Sequence, residues 1–216
     1  MLKDRTDYLL DIDEVLGPKA AKKAPGIVKW FLKRRLHVDQ INNFVMTSEN
    51  YNGVGFFDDA LKYLNISYRT RGEENIDLSK KYIFVCNHPL GGPEALIIGS
   101  IFKRLYGKGF KVPSNQFLYS LKPLREFFVP VRVVGGGRQD REIVERMAEM
   151  FNSDCQTLVF PAGLCARTFN GKIIEMPWKK MFISQARKYQ RDIVPVHISG
   201  HNSKWYFFLS WLSRTL

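Results

Sequence analysis

The run Tyr82-Ile-Phe-Val-Cys86 constrains this chain most, because five successive apolar residues offer no polar face to water and read as a buried strand. It leads directly into Asn87-His88-Pro89-Leu90-Gly91-Gly92-Pro93-Glu94, after which Ala95 to Tyr106 has strong helical character. Further short β-like runs are separated by helical ones: Ile66 to Arg71, Phe127 to Val134, Thr157 to Phe160 and Ile193 to Ile198. Strands alternating with helices predict an α/β fold with a central sheet flanked by helices. Asn170-Gly171, between Thr168-Phe169 and Lys172-Ile173-Ile174, has hairpin-turn chemistry, so the sheet is expected to be mixed.

Ahead of this region, helices are expected over Tyr8 to Leu16, Ile27 to Leu36 and Phe56 to Leu64, separated by Pro25-Gly26 and by Gly53 and Gly55. We therefore divide the 216 residues into an N-terminal helical segment, 1–64, and an α/β domain, 65–216. No internal repeat or low-complexity segment is found. The aromatic stretch Trp205-Tyr-Phe-Phe-Leu-Ser-Trp-Leu-Ser-Arg breaks off in mid-pattern, as if a longer chain continued beyond it.

Charge narrows the partners. Thirty-three Lys and Arg against twenty-one Asp and Glu give a net charge of +12, which favours an anionic surface, an acidic carrier protein or nucleic acid. No helix-turn-helix, zinc-finger or RNA-binding signature accompanies the charge, so nucleic acid is not expected. Three cysteines, Cys86, Cys155 and Cys165, form no CxxC pair, which argues against a disulfide framework or a zinc site and for a reducing compartment. The first residues lack the basic end and apolar stretch of a signal peptide. The apolar runs at Ala95 to Phe102 and Trp205 to Leu212 fall short of the ~20 residues that span a bilayer. The expected location is cytoplasmic and peripheral, at the inner face of the cytoplasmic membrane. The segment Ile27-Val-Lys-Trp-Phe-Leu-Lys-Arg-Arg-Leu36 mixes aromatic and basic residues as interfacial helices do, although packing on the domain would use the same pattern.

His88 stands at a strand end. Pro89 biases it toward an extended conformation, Gly91 and Gly92 permit close approach of a ligand to the backbone, and Pro93 suits the start of a helix. Glu94 then falls in the first helical turn, where the dipole favours its ionised form. A carboxylate beside an imidazole fixes its tautomer and stabilises the imidazolium formed on proton uptake, so His88 and Glu94 are the candidate general-base pair. Spacing alone does not decide this, because four histidines and twenty-one acids also produce such pairs by chance.

Over roughly residues 64–200 the chain resembles the PlsC-like glycerolipid acyltransferases (1-acylglycerol-3-phosphate acyltransferases), whose first motif is Asn-His, four residues and Asp. Ser67-Tyr-Arg-Thr-Arg-Gly-Glu-Glu-Asn-Ile is similar to the strand and turn before that motif. Phe127-Phe-Val-Pro-Val-Arg132 resembles the second block, Phe160-Pro161-Ala162-Gly163 with Arg167 the third, and Val194-Pro195-Val196 the fourth. The Asn87-His-Pro-Leu-Gly-Gly and Phe160-Pro-Ala-Gly-Leu-Cys runs look nearest to a bacterial, hemolysin-like branch that includes O-acyltransferases of amino-acid lipids. Two departures are informative. The acid comes one residue late and is Glu94 instead of Asp, and the family's Phe-Pro-Glu-Gly-Thr-Arg is here Phe160-Pro-Ala-Gly-Leu-Cys165, which loses the arginine used for acceptor binding.

The resemblance implies transfer of a fatty acyl group from an acyl-CoA or acyl carrier protein thioester to the hydroxyl of a single-chain membrane lipid, with no permanently bound cofactor and no metal. His88 would be the base and Glu94 its orienting acid. Asn87, Gly91, Gly92, Arg132, Phe160, Pro161, Gly163 and Arg167 would contact substrates, with the Gly91-Gly92 or Gly163 backbone serving the oxyanion. Arginine grips phosphate through paired hydrogen bonds, so its displacement here favours an N-acyl amino acid acceptor over glycerol phosphate. A lysophosphatidic acid acyltransferase, or a non-catalytic basic membrane-binding protein of the same fold, are the alternatives. Val133-Val-Gly-Gly-Gly137 has no P-loop continuation and reads as a turn. Cys86 reads as core, and His197 and His201 as structural.

Overall fold

The computed structural model describes residues 5–131, 140–169, 172–200 and 202. Arg132, the Val133 to Gly137 run, the Asn170-Gly171 turn, His201 and the aromatic stretch from Trp205 lie outside the described residues. The α-helices described over their full length before the first strand are α1 (Ile12–Leu16), α2 (Pro18–Lys23), α3 (Gly26–Arg35), α4 (Val38–Thr47) and α5 (Gly55–Tyr63). Then come β1 (Tyr82–Cys86), α6 (Gly92–Tyr106), β2 (Phe110–Ser114), α7 (Gln116–Tyr119), β3 (Phe128–Pro130), α8 (Arg141–Asn152), β4 (Gln156–Val159), β5 (Arg167–Phe169), β6 (Lys172–Ile174), α9 (Met181–Tyr189) and β7 (Asp192–Val196).

The α/β architecture expected from the alternating pattern is what forms. A five-stranded sheet has the order β3-β2-β4-β1-β7, with helices between successive strands. All its pairings are parallel, with Ile83 opposite Thr157, Tyr82 opposite Asp192 and Val112 opposite Phe128. The antiparallel component stands apart from it, as the ribbon of β5 and β6 in which Arg167 faces Ile174. A parallel sheet needs cover on both faces, which is why all five residues of β1 are buried. The pleat sorts them: Tyr82, Phe84 and Cys86 join a cluster with Phe44, Phe57, Phe102 and Phe110, while Ile83 and Val85 join Met150, Phe151 and Ala186 of α8 and α9.

Helices α4 and α5 thus contribute Phe44, Val45, Phe56, Phe57 and Ala60 to the same cluster as the strands. The sequence reading differs from the structure at several places. Ile66 to Arg71 forms no strand; the Ile66 amide closes α5 by bonding Leu61 O at 2.9 Å, and the Tyr68 hydroxyl bonds Ser100 Oγ at 2.9 Å, so the segment is tied to helices rather than to a ladder. Helix α4 had no sequence expectation, and neither did β2, whose Lys111 and Pro113 alternate with buried Phe110, Val112 and Ser114. The expected Tyr8 to Leu16 helix is shorter, with Asp11 capping it through a bond from the Asp13 amide at 2.9 Å.

Candidate active site

The carboxyl ends of the parallel strands converge on one spot, as they do in open α/β sheets. The chain leaves β1 at Cys86, and the side-chain amide of Asn87 turns aside to pair with Ile198, just beyond β7: Nδ2 donates to the Ile198 carbonyl at 2.9 Å and Oδ1 accepts from its amide at 2.7 Å. Asn87 therefore fixes the direction in which His88 leaves the sheet. The His88 backbone is held on both sides, its amide donating to Glu175 Oε1 at 2.7 Å and its carbonyl accepting from Ala166 at 2.8 Å.

The ring is held as firmly as the backbone. His88 Nδ1 is hydrogen-bonded to Glu94 Oε2, and the other carboxylate oxygen accepts from the Leu90 amide. Glu94 is fully buried in the first turn of α6. The loop reaches this arrangement because Gly91 takes a φ of 90°, a left-handed value that favours glycine. The later, longer acid thus meets the imidazole. Phe160, immediately after β4, stacks on the ring with centroids 4.4 Å apart and planes 25° apart. With Nδ1 committed to Glu94, the neutral ring carries its proton there and turns Nε2 outward as the acceptor.

Burial works against a charge on His88, but hydrogen bonding to Cys165 and to the Glu94 carboxylate more than offsets it and raises the ring's pKa well above the ordinary 6.5. Nε2 faces Cys165 Sγ at 3.6 Å. Cys86 is a different thiol. It is fully buried in the core, where burial, together with the negative charges of Glu94 and Glu175, pushes its pKa up.

His88, Gly91, Gly92, Phe160, Pro161, Gly163 and Cys165 all line a largely apolar cavity of about 1080 Å³. Its far walls come from α4 and α5, with Phe44 and Phe56, and from the segment after β2, with Phe117 and Leu121. The Gly163 amide is committed to Phe160 O at 3.0 Å and the Glu94 amide to Gly91 O at 3.3 Å, and Pro93 has no N–H, which leaves the Gly92 amide as the better candidate donor at the start of α6. Pro161 is buried and its carbonyl accepts from the Lys179 amide at 3.1 Å. Arg167 is buried in β5, and Arg132 lies outside the described residues.

Sequence reasoning passed over two residues of this site. Cys165 was noted as one of three unpaired cysteines and for the arginine it replaces, not as a neighbour of His88, and Glu175 was not singled out. Nothing in the linear order joins positions 165 and 175 to position 88; folding of the β5–β6 ribbon does so. Among the described residues no group of three or more His, Cys, Asp or Glu is arranged to hold a metal ion.

An imidazole held by a buried carboxylate and opening onto an apolar chamber at the end of a parallel sheet has the geometry that proton transfer beside an apolar substrate requires. The profile of the Acyltransferase family matches residues 13–216, and the chain belongs to that family. It is an acyltransferase, and it takes its acyl group from a donor co-substrate. It is similar to the lyso-glycine lipid O-acyltransferase of Bacteroides thetaiotaomicron, 35% identical over 218 residues covering 100% of this chain and 79% of that protein. The lyso-glycine lipid O-acyltransferase of Phocaeicola vulgatus is 33% identical over 218 residues, covering 100% and 77%.

Proposed function

We propose that the enzyme moves a fatty acyl group from a thioester of coenzyme A or acyl carrier protein to the hydroxyl of a single-chain amino-acid lipid, with a lyso-glycine lipid as the first acceptor to test. The observation that carries this reading is the His88 ring, locked by Glu94 at Nδ1 and presenting Nε2 to an apolar cavity. As the acceptor oxygen attacks the thioester carbonyl, Nε2 takes its proton and Glu94 stabilises the resulting imidazolium. The Gly92 amide at the start of α6 serves the developing oxyanion. Arg167 is the proposed partner of the headgroup carboxylate, and the names of the two relatives support that headgroup.

Delivery falls to α3. No described helix is long and apolar enough to cross a membrane. Helix α3 buries none of its residues and exposes Ile27, Trp30 and Phe31 at 76%, 60% and 59%, with Lys33, Arg34 and Arg35 in its last turn. Apolar side chains flanked by cations suit an anionic bilayer surface, and the net charge of +12 adds to the attraction.

The test supplies acyl-CoA or acyl carrier protein thioester with either lyso-glycine lipid or lysophosphatidate in mixed vesicles. Turnover of the glycine lipid that is lost in His88→Ala supports the proposal. Turnover of lysophosphatidate alone overturns the headgroup, and retained turnover in His88→Ala removes the base.

A further inference from the structure

We propose that the β5–β6 ribbon inserts into the headgroup region of an anionic bilayer and seats the mouth of the cavity on the membrane. This foot is separate from α3, and its part in acceptor delivery rests on the acyl-transfer reading above. The ribbon stands apart from the five-stranded sheet. Phe169 and Ile173 are 49% and 50% exposed, and Ile174 and Trp178 are exposed as well. Clustered apolar side chains at a surface mark a face that something covers. Cross-strand pairing sets Phe169 opposite Lys172 and Ile174 opposite Arg167 on one face, with Ile173 opposite Thr168 on the other. Apolar side chains therefore leave both faces of the ribbon. A flat protein partner covers one face, whereas a lipid interface surrounds an inserted ribbon on both.

Charge selects the same partner. Lys172 faces Phe169 across the ribbon, Lys179 and Lys180 follow Trp178, and all three are exposed. Glu175 is the only acid between Arg167 and Arg191, and it is turned inward onto the His88 amide at 2.7 Å. Lysine stems beside an inserted ribbon bury in the interface while their ammonium heads stay with the lipid phosphates. The inner end of the ribbon is held on the backbone of the base. Ala166, just before β5, donates to the His88 carbonyl at 2.8 Å, and Glu175, just after β6, accepts from its amide. Cys165 and Lys179, on either side of the ribbon in sequence, both line the cavity. Each strand has three residues, so at ~3.4 Å per residue the outer end stands on the order of 10 Å from that anchor. A lipid beside the inserted ribbon then brings its hydroxyl to Nε2 without leaving the membrane.

The experiment measures sedimentation of the full chain with vesicles of phosphatidylcholine and phosphatidylglycerol, with no turnover required. Phe169→Glu and Ile173→Glu should each weaken binding about tenfold or more with little change in Tm. Ile173→Trp, which keeps the position apolar and suits an interface, should bind more tightly, so the test stands even where a Glu variant unfolds. Leu78→Glu makes the same change of charge at a side chain that is 50% exposed ahead of β1, away from the carboxyl ends of the strands, and should leave binding as it is. On vesicle-borne lyso-glycine lipid the two ribbon Glu variants should raise KM with kcat kept, while a short-chain acceptor free in solution is turned over as by the wild type. Wild-type vesicle binding by both Glu variants overturns the proposal, whether or not they lose binding to acyl carrier protein or to a second copy of the chain. Equal weakening by Leu78→Glu, or no gain in Ile173→Trp, overturns it too. These failures leave the His88 chemistry standing, whereas full activity in His88→Ala removes that chemistry and leaves the vesicle binding as measured.

Discussion

The side-chain amide of Asn87 and the backbone of Ile198 form a closed pair, at 2.9 and 2.7 Å, that extends the β1–β7 ladder by one more rung. The motif resemblance placed Asn87 among the substrate contacts, but both its oxygen and its nitrogen have partners in the protein. Its proposed contribution to the reaction is accordingly positional. It holds the last turn of backbone before His88.

Replacing Asn87 with Ala leaves the Ile198 amide and carbonyl without their partner, at a cost of about 1–3 kcal/mol. We expect a lower urea midpoint with an unchanged m-value, together with reduced kcat as His88 drifts. Asn87→Asp should recover part of the stability, because a carboxylate still accepts from the Ile198 amide but no longer donates to its carbonyl.

A base works when neutral, and the folded His88 ring holds its proton above the usual 6.5. Activity should therefore rise with pH, with the midpoint of the acid limb above 6.5. Glu94→Gln removes the charge while leaving burial, which opposes protonation, so the limb should move to lower pH as the plateau falls by about a hundredfold or more. The linkage to stability has the opposite sense: the raised pKa stabilises the fold fully below the unfolded value and is lost as pH rises through the folded one. A pH–rate profile and unfolding midpoints across pH check both halves; an acid limb that stays put in Glu94→Gln contradicts the pairing.

Gly99 lies in the middle of α6, where alanine would ordinarily gain about 1 kcal/mol of helix propensity. Here a Cβ would stand 2.4 Å from Phe57 Cδ1. Phe57 cannot yield, since it is 2% exposed and packs against Phe110 and Phe127 with centroids 5.6 and 5.0 Å away. Overpacking costs about 1–3 kcal/mol, so Gly99→Ala should be net destabilising and lower Tm by several degrees. Thermal unfolding followed by circular dichroism decides the sign.

Trp30→Glu and Phe31→Glu alter exposed side chains, so Tm should change little. If α3 rests on lipid, each change should weaken binding to anionic vesicles about tenfold or more, because burying such a side chain is worth about 1.5–3 kcal/mol. Sedimentation with vesicles should also weaken with salt. Unchanged binding in both variants would dismiss α3 as the docking element.

The apolar run of β1, the Pro and Gly residues after it and the helix that follows determined the strand–loop–helix unit, because local sterics and periodicity act over a few residues and need no distant partner. His88 and Glu94 belong to that unit, so residue order together with the family resemblance was enough to expect their pairing. Tertiary structure decided what spans the chain. The all-parallel sheet, the strand hidden by Lys111 and Pro113, and the helices α4 and α5 closing over the cavity depend on which surfaces bury one another. So does the approach of Glu175 and Cys165 to His88, which the β5–β6 ribbon brings about across 87 and 77 residues. A linear pattern records which residues prefer to be buried, but contacts at that separation follow from the order in which the strands assemble.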